Sequence, residues 1–207
     1  MVRRHPVMAA FAALYMVGFT ARALAAGNHE FLFYAAVMAA LAVGVAMVDE
    51  RVRFSVLVVW LLAVWGFLHM AGGNVPIPAS LAPDWTPPTE GARTVLYNLR
   101  PVAWGPKYDQ VVHAFGFFSA TLACAEAMSA AMPGLRLSVG VRVGLCCMGM
   151  GLGAANEVVE FVATRFMDTN VGGYENTGWD LVSNMVGATL AAVAAGRIGN
   201  AGRGEAA

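Results

Sequence analysis

The chain has 207 residues, of which 58% are hydrophobic and 13% are charged, whereas a soluble domain is typically about 45–50% apolar and about 25% charged. The 13 basic and 13 acidic residues give zero net charge, which excludes the basic surface of a nucleic-acid-binding protein. The three cysteines are odd in number and lie in apolar stretches, so no disulfide framework is indicated. We predict an integral membrane protein surrounded by the lipid bilayer.

Six apolar stretches are long enough to cross a bilayer as helices. They cover residues 7–26, 31–48, 54–71, 109–131, 137–163 and 179–195. We therefore predict an all-α, polytopic bundle of six transmembrane helices that forms one domain over residues 1–207. The first stretch also has features of a cleavable signal peptide, whose removal would leave five helices. Retention is favoured because Arg22 lies where a cleavage region is normally small and neutral.

The distribution of Lys and Arg predicts the orientation of the bundle. With six spans, one side of the membrane holds eight basic residues, all in short segments that include both termini. The other side holds five, three of which lie in the long loop at residues 72–108. The positive-inside rule then places both termini in the cytoplasm and this loop outside.

The outer loop at residues 72–108 contains seven of the nine prolines, which favour extended and turn conformations. A loop of this length with apolar and aromatic residues is more typical of a lid on the bundle than of a linker. Within it, residues 93–100 are predicted to form a short helix or strand, with Tyr97 and Trp104 at the level of the lipid headgroups.

Small residues recur at i,i+4 spacing in the last two predicted spans, and such spacing typically lets membrane helices approach closely. The pairs are Gly140/Gly144, Gly149/Gly153 and Ser183/Gly187. Because two of these pairs lie in the fifth span, we expect that span to be central in the bundle.

A group of polar residues lies in the outer halves of four predicted spans, and ionisable residues inside a membrane are costly and mark functional sites. The group comprises His69, Asp109, His113, Asn156, Glu157, Glu160, Asp180 and Asn184. All lie within about 12 Å of the outer helix ends at 1.5 Å per residue, so we expect them to meet in one outward-facing cavity. Glu126 is about 25 Å along its helix from Asp109 and belongs to the cytoplasmic end.

Four carboxylates in one poorly solvated cavity need compensation for their charge. Three solutions are open: protonation, pairing with the neighbouring Lys107, Arg100 and Arg165, or a bound divalent metal ion. Mixed imidazole and carboxylate ligation suits zinc, manganese or iron. The candidate metal ligands are His69, Asp109, His113 and Asp180. The candidate catalytic residues are Glu157 and Glu160, and Asn156 and Asn184 are the other polar groups of the cavity. Each residue also has a structural explanation, as a helix cap or an interhelical hydrogen bond.

Five segments resemble the YjdF-type family of bacterial inner-membrane proteins of unknown function. They are LHMAGG (68–73), VLYN (95–98), YDQVVHAFG (108–116), NEVVE (156–160) and NVGGYENTGWDLVSN (170–184). The resemblance implies a multi-pass protein of the bacterial plasma (inner) membrane and places the candidate site residues at motif positions of the family. More distantly, the order Asp-x-x-x-His, Glu, Asp-x-x-x-Asn-x-x-Gly is similar to VanZ-like proteins, which are associated with teicoplanin resistance.

These observations favour an outward-facing enzyme embedded in the membrane, with a divalent metal ion as its candidate cofactor. The predicted substrate is a lipid or a lipid-linked envelope molecule, because the polar cluster lies at the level of the outer headgroups. A small transporter or ion-binding permease is an alternative from another class, and a noncatalytic envelope protein of VanZ-like type is a third. The sequence leaves open whether the protein is an enzyme and names no reaction.

Overall fold

The computed structural model describes residues 3–86, 93–170 and 172–201, with side chains up to residue 195. Its long helices are α1 (Pro6–Ala26), α2 (His29–Val52), α3 (Val56–Asn74), α4 (Tyr108–Ala131), α5 (Val139–Ala163) and α6 (Tyr174–Ala201). Two short 3-10 helices, Ala79–Leu81 and Leu96–Asn98, lie between α3 and α4. Within the described ranges, extended pairing is limited to one isolated bridge between Pro76 and Val95. The predicted all-α bundle is confirmed.

Five of the six long helices, α1 to α5, are long and apolar enough to cross a membrane. The sixth helix, α6, is longer still at 28 residues, but its first turns are polar because they carry Glu175, Asn176 and Asp180. It packs along α4 and α5. The protein is thus a helical, multi-pass membrane bundle, and the sixth span remains a prediction that rests on the apolar part of α6.

Short polar residues and one glycine determine several helix ends. The side chains of Asn28, Ser55 and Ser138 accept hydrogen bonds from backbone N–H groups in the first turns of α2, α3 and α5, which satisfies donors that the helix itself leaves unpaired. Gly27 ends α1 in the left-handed conformation at φ 62°, which glycine adopts without strain. These turns connect consecutive helices tightly at both ends of the bundle.

The centre of the bundle is α4, which packs against α3, α5 and α6 and also contacts α2. In contrast, α5 buries one face, which carries Leu145, Gly149, Gly153 and Glu157. The prediction that the fifth span is central is therefore wrong. The physical reason is that a pair of small residues permits a close helix contact but does not require one.

Glycines allow close helix contact at some predicted positions and not at others. A Cβ atom on Gly187 would collide with the backbone carbonyl oxygen of Ala114 on α4, and one on Gly153 would collide with the side chain of Asn184 on α6. Gly140 and Gly144 have no atom within 4 Å of such a Cβ position. The close-approach interpretation is correct for Gly187 and Gly153 and wrong for the Gly140/Gly144 pair, which lies on an open face of α5.

The end of the bundle where α3 begins is held by charged side chains. Arg4 Nη1 lies 2.8 Å from Asp49 Oδ1, and the same carboxylate accepts a hydrogen bond from the backbone N–H of Phe54. Glu126 accepts a 2.8 Å hydrogen bond from the backbone N–H of Ser55, where the helix dipole also favours negative charge. Glu126 thus stabilises the start of α3, at the end of the bundle opposite to the other polar residues of α4.

The outer loop folds against itself and against the ends of α1 and α3. The backbone N–H of Leu96 donates to Val75 O at 2.8 Å, and the N–H of Tyr108 donates to Leu99 O at 2.8 Å. The Arg93 side chain donates to Ala26 O at 2.7 Å. The described parts of the loop are therefore attached to the bundle, and its role as a lid remains a prediction.

Candidate functional site

A cavity of about 720 Å³ lies at the end of the bundle where α2, α4 and α6 begin and α1, α3 and α5 end. We call this end the cavity end. The titratable side chains that line the cavity are Glu30, Tyr34, His69, Asp84, Tyr97, Arg100, Lys107, Asp109, Glu160 and Glu175. Trp85 and Trp179 add two indole rings. The cavity therefore combines acidic and aromatic walls.

His113 on α4 is the residue around which the cluster is built. Its Nε2 atom lies 3.6 Å from Asp109 Oδ1, one helical turn earlier, and 3.9 Å from Glu160 Oε1 on α5. Its Nδ1 atom lies 3.0 Å from Asn184 Oδ1 on α6 and 3.6 Å from Glu157 Oε1. The imidazole is buried, so three helices surround one ring with carboxylate and amide oxygens.

Asp180 on α6 completes the cluster beside Asp109. Its side chain is fully buried, at 0% exposure, and its Oδ2 atom accepts a 2.5 Å hydrogen bond from Asn176 Nδ2. Its Oδ1 atom has no hydrogen-bond partner among the described residues. A buried carboxylate oxygen without a partner is costly, and one oxygen of Asp180 lies within 4.8 Å of the ligand atoms of Asp109 and His113.

The potential metal ligands form two groups that share His113. Asp109, His113 and Asp180 make up the first group, and His113, Glu157 and Glu160 make up the second. Within each group the ligand atoms lie within 4.8 Å of one another, which is close enough for one ion to contact all of them. The structure thus brings five predicted site residues together. The two predicted polar residues lie beside them: Asn184 bonds to His113, and Asn156 Nδ2 donates to Glu160 Oε1 at 2.7 Å.

His69 lines the same cavity but belongs to neither group. Its Nδ1 atom lies 2.5 Å from the hydroxyl oxygen of Tyr97 in the outer loop. Burial raises the pKa of Tyr97 well above its usual value, so the hydroxyl keeps its proton at neutral pH. The hydrogen bond occupies Nδ1 whichever of the two atoms donates, so Nε2 is the ring nitrogen of His69 that remains for another partner.

Tyr97 is partly buried against the bundle, and its position at the level of the lipid headgroups remains a prediction. Its ring packs against Phe31 and His69, and Gly72 makes room for it because a Cβ there would come within 2.5 Å of the ring. Trp104 is 90% exposed. The segment folds as the short 3-10 helix Leu96–Asn98, so the loop inserts an aromatic side chain into the bundle.

Removal of the Tyr97 hydroxyl tests this attachment of the loop. We expect Tyr97→Phe to lower the free energy of unfolding by about 1 kcal/mol, because the part-buried His69 Nδ1 loses its hydrogen-bond partner. The measurement is unfolding by SDS titration in mixed micelles. Tyr174→Phe is the matched control, since Tyr174 is 95% exposed and should change nothing. Equal effects of the two substitutions would contradict the assignment.

Sequence reasoning missed Glu30, Tyr34, Asn170 and Asn176. Glu30 lies in the first turn of α2 and is 6% exposed, and both its carboxylate oxygens lie 3.0 Å from the backbone N of Asn170. Asn176 lies one turn before Asp180 and also contacts Lys107 Nζ at 3.3 Å. The sequence signal that could have identified three of them is i,i+4 spacing, which relates Glu30 to Tyr34 and Asn176 to Asp180.

The three basic residues that the sequence offers as partners of the carboxylates, Lys107, Arg100 and Arg165, have different surroundings. Lys107 reaches the cluster only through Asn176. Arg100 Nε lies 3.1 Å from Asp84 Oδ2 at the cavity wall. Arg165 lies over the Phe161 ring at 5.6 Å and is exposed. Among the described residues, no Lys or Arg therefore forms an ion pair with a carboxylate of the two ligand groups.

The helical fold and the buried polar cavity define a multi-pass membrane protein with a polar pocket at one end. The model of the family described as "Predicted membrane protein (DUF2238)" matches residues 7–201, so the chain belongs to this family. The match covers all six long helices. No curated protein and no solved structure matches the chain.

Proposed function

We propose that the protein is a metal-dependent enzyme embedded in the membrane, with an outward-facing cavity that takes a lipid or a lipid-linked envelope substrate. The observation that carries this proposal is the group Asp109, His113 and Asp180, whose ligand atoms lie within 4.8 Å of one another. The fully buried Asp180 also has an oxygen, Oδ1, without a hydrogen-bond partner among the described residues, and a bound cation would satisfy such an atom.

The charge balance of the cluster favours a divalent cation. Two ligand groups contain four carboxylates around a single imidazole, and the nearest lysine acts only through Asn176. Isolated charges are costly in a membrane, and a divalent cation offsets two of them at once. Protonation of the carboxylates is the competing solution, and it predicts no metal dependence.

The surroundings of His113 suit it as a metal ligand. Its Nδ1–H donates to Asn184 Oδ1 at 3.0 Å, which leaves the lone pair of Nε2 on the side of Asp109. Hydrogen bonding of the other ring nitrogen is the usual way in which proteins orient a ligating histidine. Imidazole together with carboxylates suits zinc, manganese or ferrous iron.

Glu160 is the best-placed proton acceptor. It lines the cavity, and Asn156 holds its Oε1 atom at 2.7 Å. Glu157 is more deeply buried and lies on the Nδ1 side of His113. A bound metal would polarise an ester or phosphoryl oxygen and lower the pKa of water. Glu160 would take the proton of that water, while Glu157 would hold the orientation of His113.

The location of the site supports a substrate from the membrane. The positive-inside rule places the cavity end outside, and Trp179 at its edge is 54% exposed, as is typical of an indole at the lipid interface. The resemblance to YjdF-type proteins favours the bacterial inner membrane, and the distant likeness to VanZ-like proteins favours an envelope substrate. These resemblances support the substrate class and specify no reaction.

A permease would need polar groups across the other half of the bundle. Two candidates there are already used in the fold: Glu126 accepts from Ser55 N, and Arg142 Nη1 donates to the backbone oxygens of Ala192 and Val193. This supports an enzyme over a transporter.

The proposed function is tested with purified protein in nanodiscs that contain bacterial lipid extract. We expect conversion of a lipid ester or phosphodiester, detected by mass spectrometry, after loading with zinc, manganese or ferrous iron. A chelator should abolish conversion, because the ion supplies the Lewis acid, and re-addition of metal should restore it. Conversion that is insensitive to chelation, or ion flux in proteoliposomes that depends on Glu160, would overturn the proposal.

A further inference from the structure

One wall of the cavity consists of Glu30 and Tyr34 on α2 and Asn170 between α5 and α6, which we call the acceptor wall. Glu30 and Tyr34 are one helical turn apart and both line the cavity, as does Asn170. None of the three belongs to a potential metal-ligand group. The acceptor wall is therefore a part of the cavity that the proposed metal chemistry does not use.

The polar atoms of this wall are mainly hydrogen-bond acceptors without sufficient donors. The two carboxylate oxygens of Glu30 share one backbone donor, the N–H of Asn170. The side-chain amide of Asn170 also faces Glu30, and a carboxylate accepts several hydrogen bonds in all. Asn170 Oδ1 and the Tyr34 hydroxyl are buried and have no partner there. A buried acceptor left unpaired is costly, so the wall is suited to a ligand with several donors.

The charge of Glu30 also favours a ligand with several hydrogen-bond donors. Glu30 is 6% exposed, and within the described ranges no Lys, Arg or His forms an ion pair with it. A ligand that places a positive charge beside Glu30 would compensate the carboxylate, whereas an anionic group placed directly against Glu30 would be repelled. A primary ammonium group provides one positive charge and three N–H donors on one atom.

We propose that the acceptor wall binds the primary ammonium group of the substrate. Glu30 accepts the charged hydrogen bond, and the Tyr34 hydroxyl and Asn170 Oδ1 accept the others. The assignment of this ligand as substrate rests on the proposed function, since Asp109 of the metal group lines the same cavity. The ammonium comes either from an aminophospholipid headgroup or from a free amine, and the experiment distinguishes these sources.

The test is native mass spectrometry of the full chain in detergent, titrated with short-chain phospholipids that differ in headgroup. Phosphatidylethanolamine carries three N–H donors, phosphatidylcholine carries the charge without N–H donors, and phosphatidylglycerol carries neither. We expect phosphatidylethanolamine to bind at least about 10-fold more tightly than the other two, the effect of a charged hydrogen bond. Equal binding of the three lipids would overturn the proposal.

Substitutions on α2 locate the binding site. Glu30→Gln should weaken phosphatidylethanolamine binding about 10-fold, and Tyr34→Phe should weaken it less while leaving the fold intact. Glu50→Gln is the matched control, because Glu50 is exposed and lies at the opposite end of the same helix. A preference for phosphatidylethanolamine that survives both Glu30→Gln and Tyr34→Phe would contradict the assignment.

Two further measurements identify the source of the amine and show which of the two proposals fails if only one of them does. Free ethanolamine that displaces the phospholipid indicates a soluble amine as ligand, and failure to displace it indicates the lipid headgroup. Headgroup preference should persist in His113→Ala, because His113 lies outside the acceptor wall. If the wild type prefers phosphatidylethanolamine but binds no metal and shows no turnover, only the proposed enzyme function is overturned. If the wild type shows turnover without a headgroup preference, only the ammonium site is overturned.

Discussion

Gly187→Ala is expected to destabilise the bundle by about 1–3 kcal/mol, the usual cost of overpacking. A Cβ at this position would overlap the backbone carbonyl of Ala114 on α4, and backbone cannot move aside as a flexible side chain can. The helix α6 would have to shift away from α4. The measurement is SDS unfolding of the purified protein in mixed micelles.

Gly151→Ala is the matched control for this prediction. No atom lies within 4 Å of a Cβ built on Gly151, and alanine is favoured over glycine in a helix by about 1 kcal/mol. We expect neutral or slightly raised stability. A Gly187→Ala variant as stable as Gly151→Ala would contradict the close packing of α6 on α4.

The same contact positions the candidate site. Gly187 lies about one turn after Asn184 and two turns after Asp180 on α6, and both of these residues reach the neighbourhood of His113 on α4. A shift of α6 would separate Asp180 from Asp109 and His113. We therefore expect Gly187→Ala to weaken metal binding as well as stability.

Glu160→Gln is expected to lower metal-dependent turnover by about 10²–10⁴-fold, the typical contribution of a general base. Glutamine keeps the size of the side chain and an oxygen that accepts from Asn156 Nδ2, but it cannot take a proton. The rate of lipid conversion is the measurement, with the metal content of the same preparation determined in parallel. We expect that content to be unchanged.

Glu175→Gln is the control for Glu160→Gln, because Glu175 also lines the cavity but is exposed near the start of α6. It should leave turnover unchanged. If Glu160→Gln retained full turnover, Glu160 would not be the proton acceptor. If it lost metal in proportion to activity, Glu160 would act as a metal ligand.

Much of the fold follows from the apolar pattern of the sequence. The predicted spans at 54–71 and 109–131 differ from α3 and α4 by only a few residues at each end, because bilayer thickness limits helix length. The start of α6 lies five residues before the predicted Trp179. A search for apolar stretches does not detect a first turn made of polar residues, although such residues also form a helix.

Part of the site was predictable because helical spacing is local. The i,i+4 relation predicts that Asp109 and His113 share a face, and the structure has them 3.6 Å apart. The pairing of His69 with Tyr97 was not predictable, because it depends on how a loop of irregular structure docks 28 residues further along the chain. Glu30 was missed because an acidic residue in a first turn normally has an explanation in the helix dipole.

Elemental analysis of protein purified without chelators tests the metal site most directly. We expect about one metal ion per chain in the wild type and in His69→Ala, and near-complete loss in His113→Ala, because loss of a site ligand typically removes most of the affinity. Circular dichroism checks that each variant remains folded. A wild type that takes up no zinc, manganese or ferrous iron, or a folded His113→Ala variant with undiminished metal, would contradict the central claim.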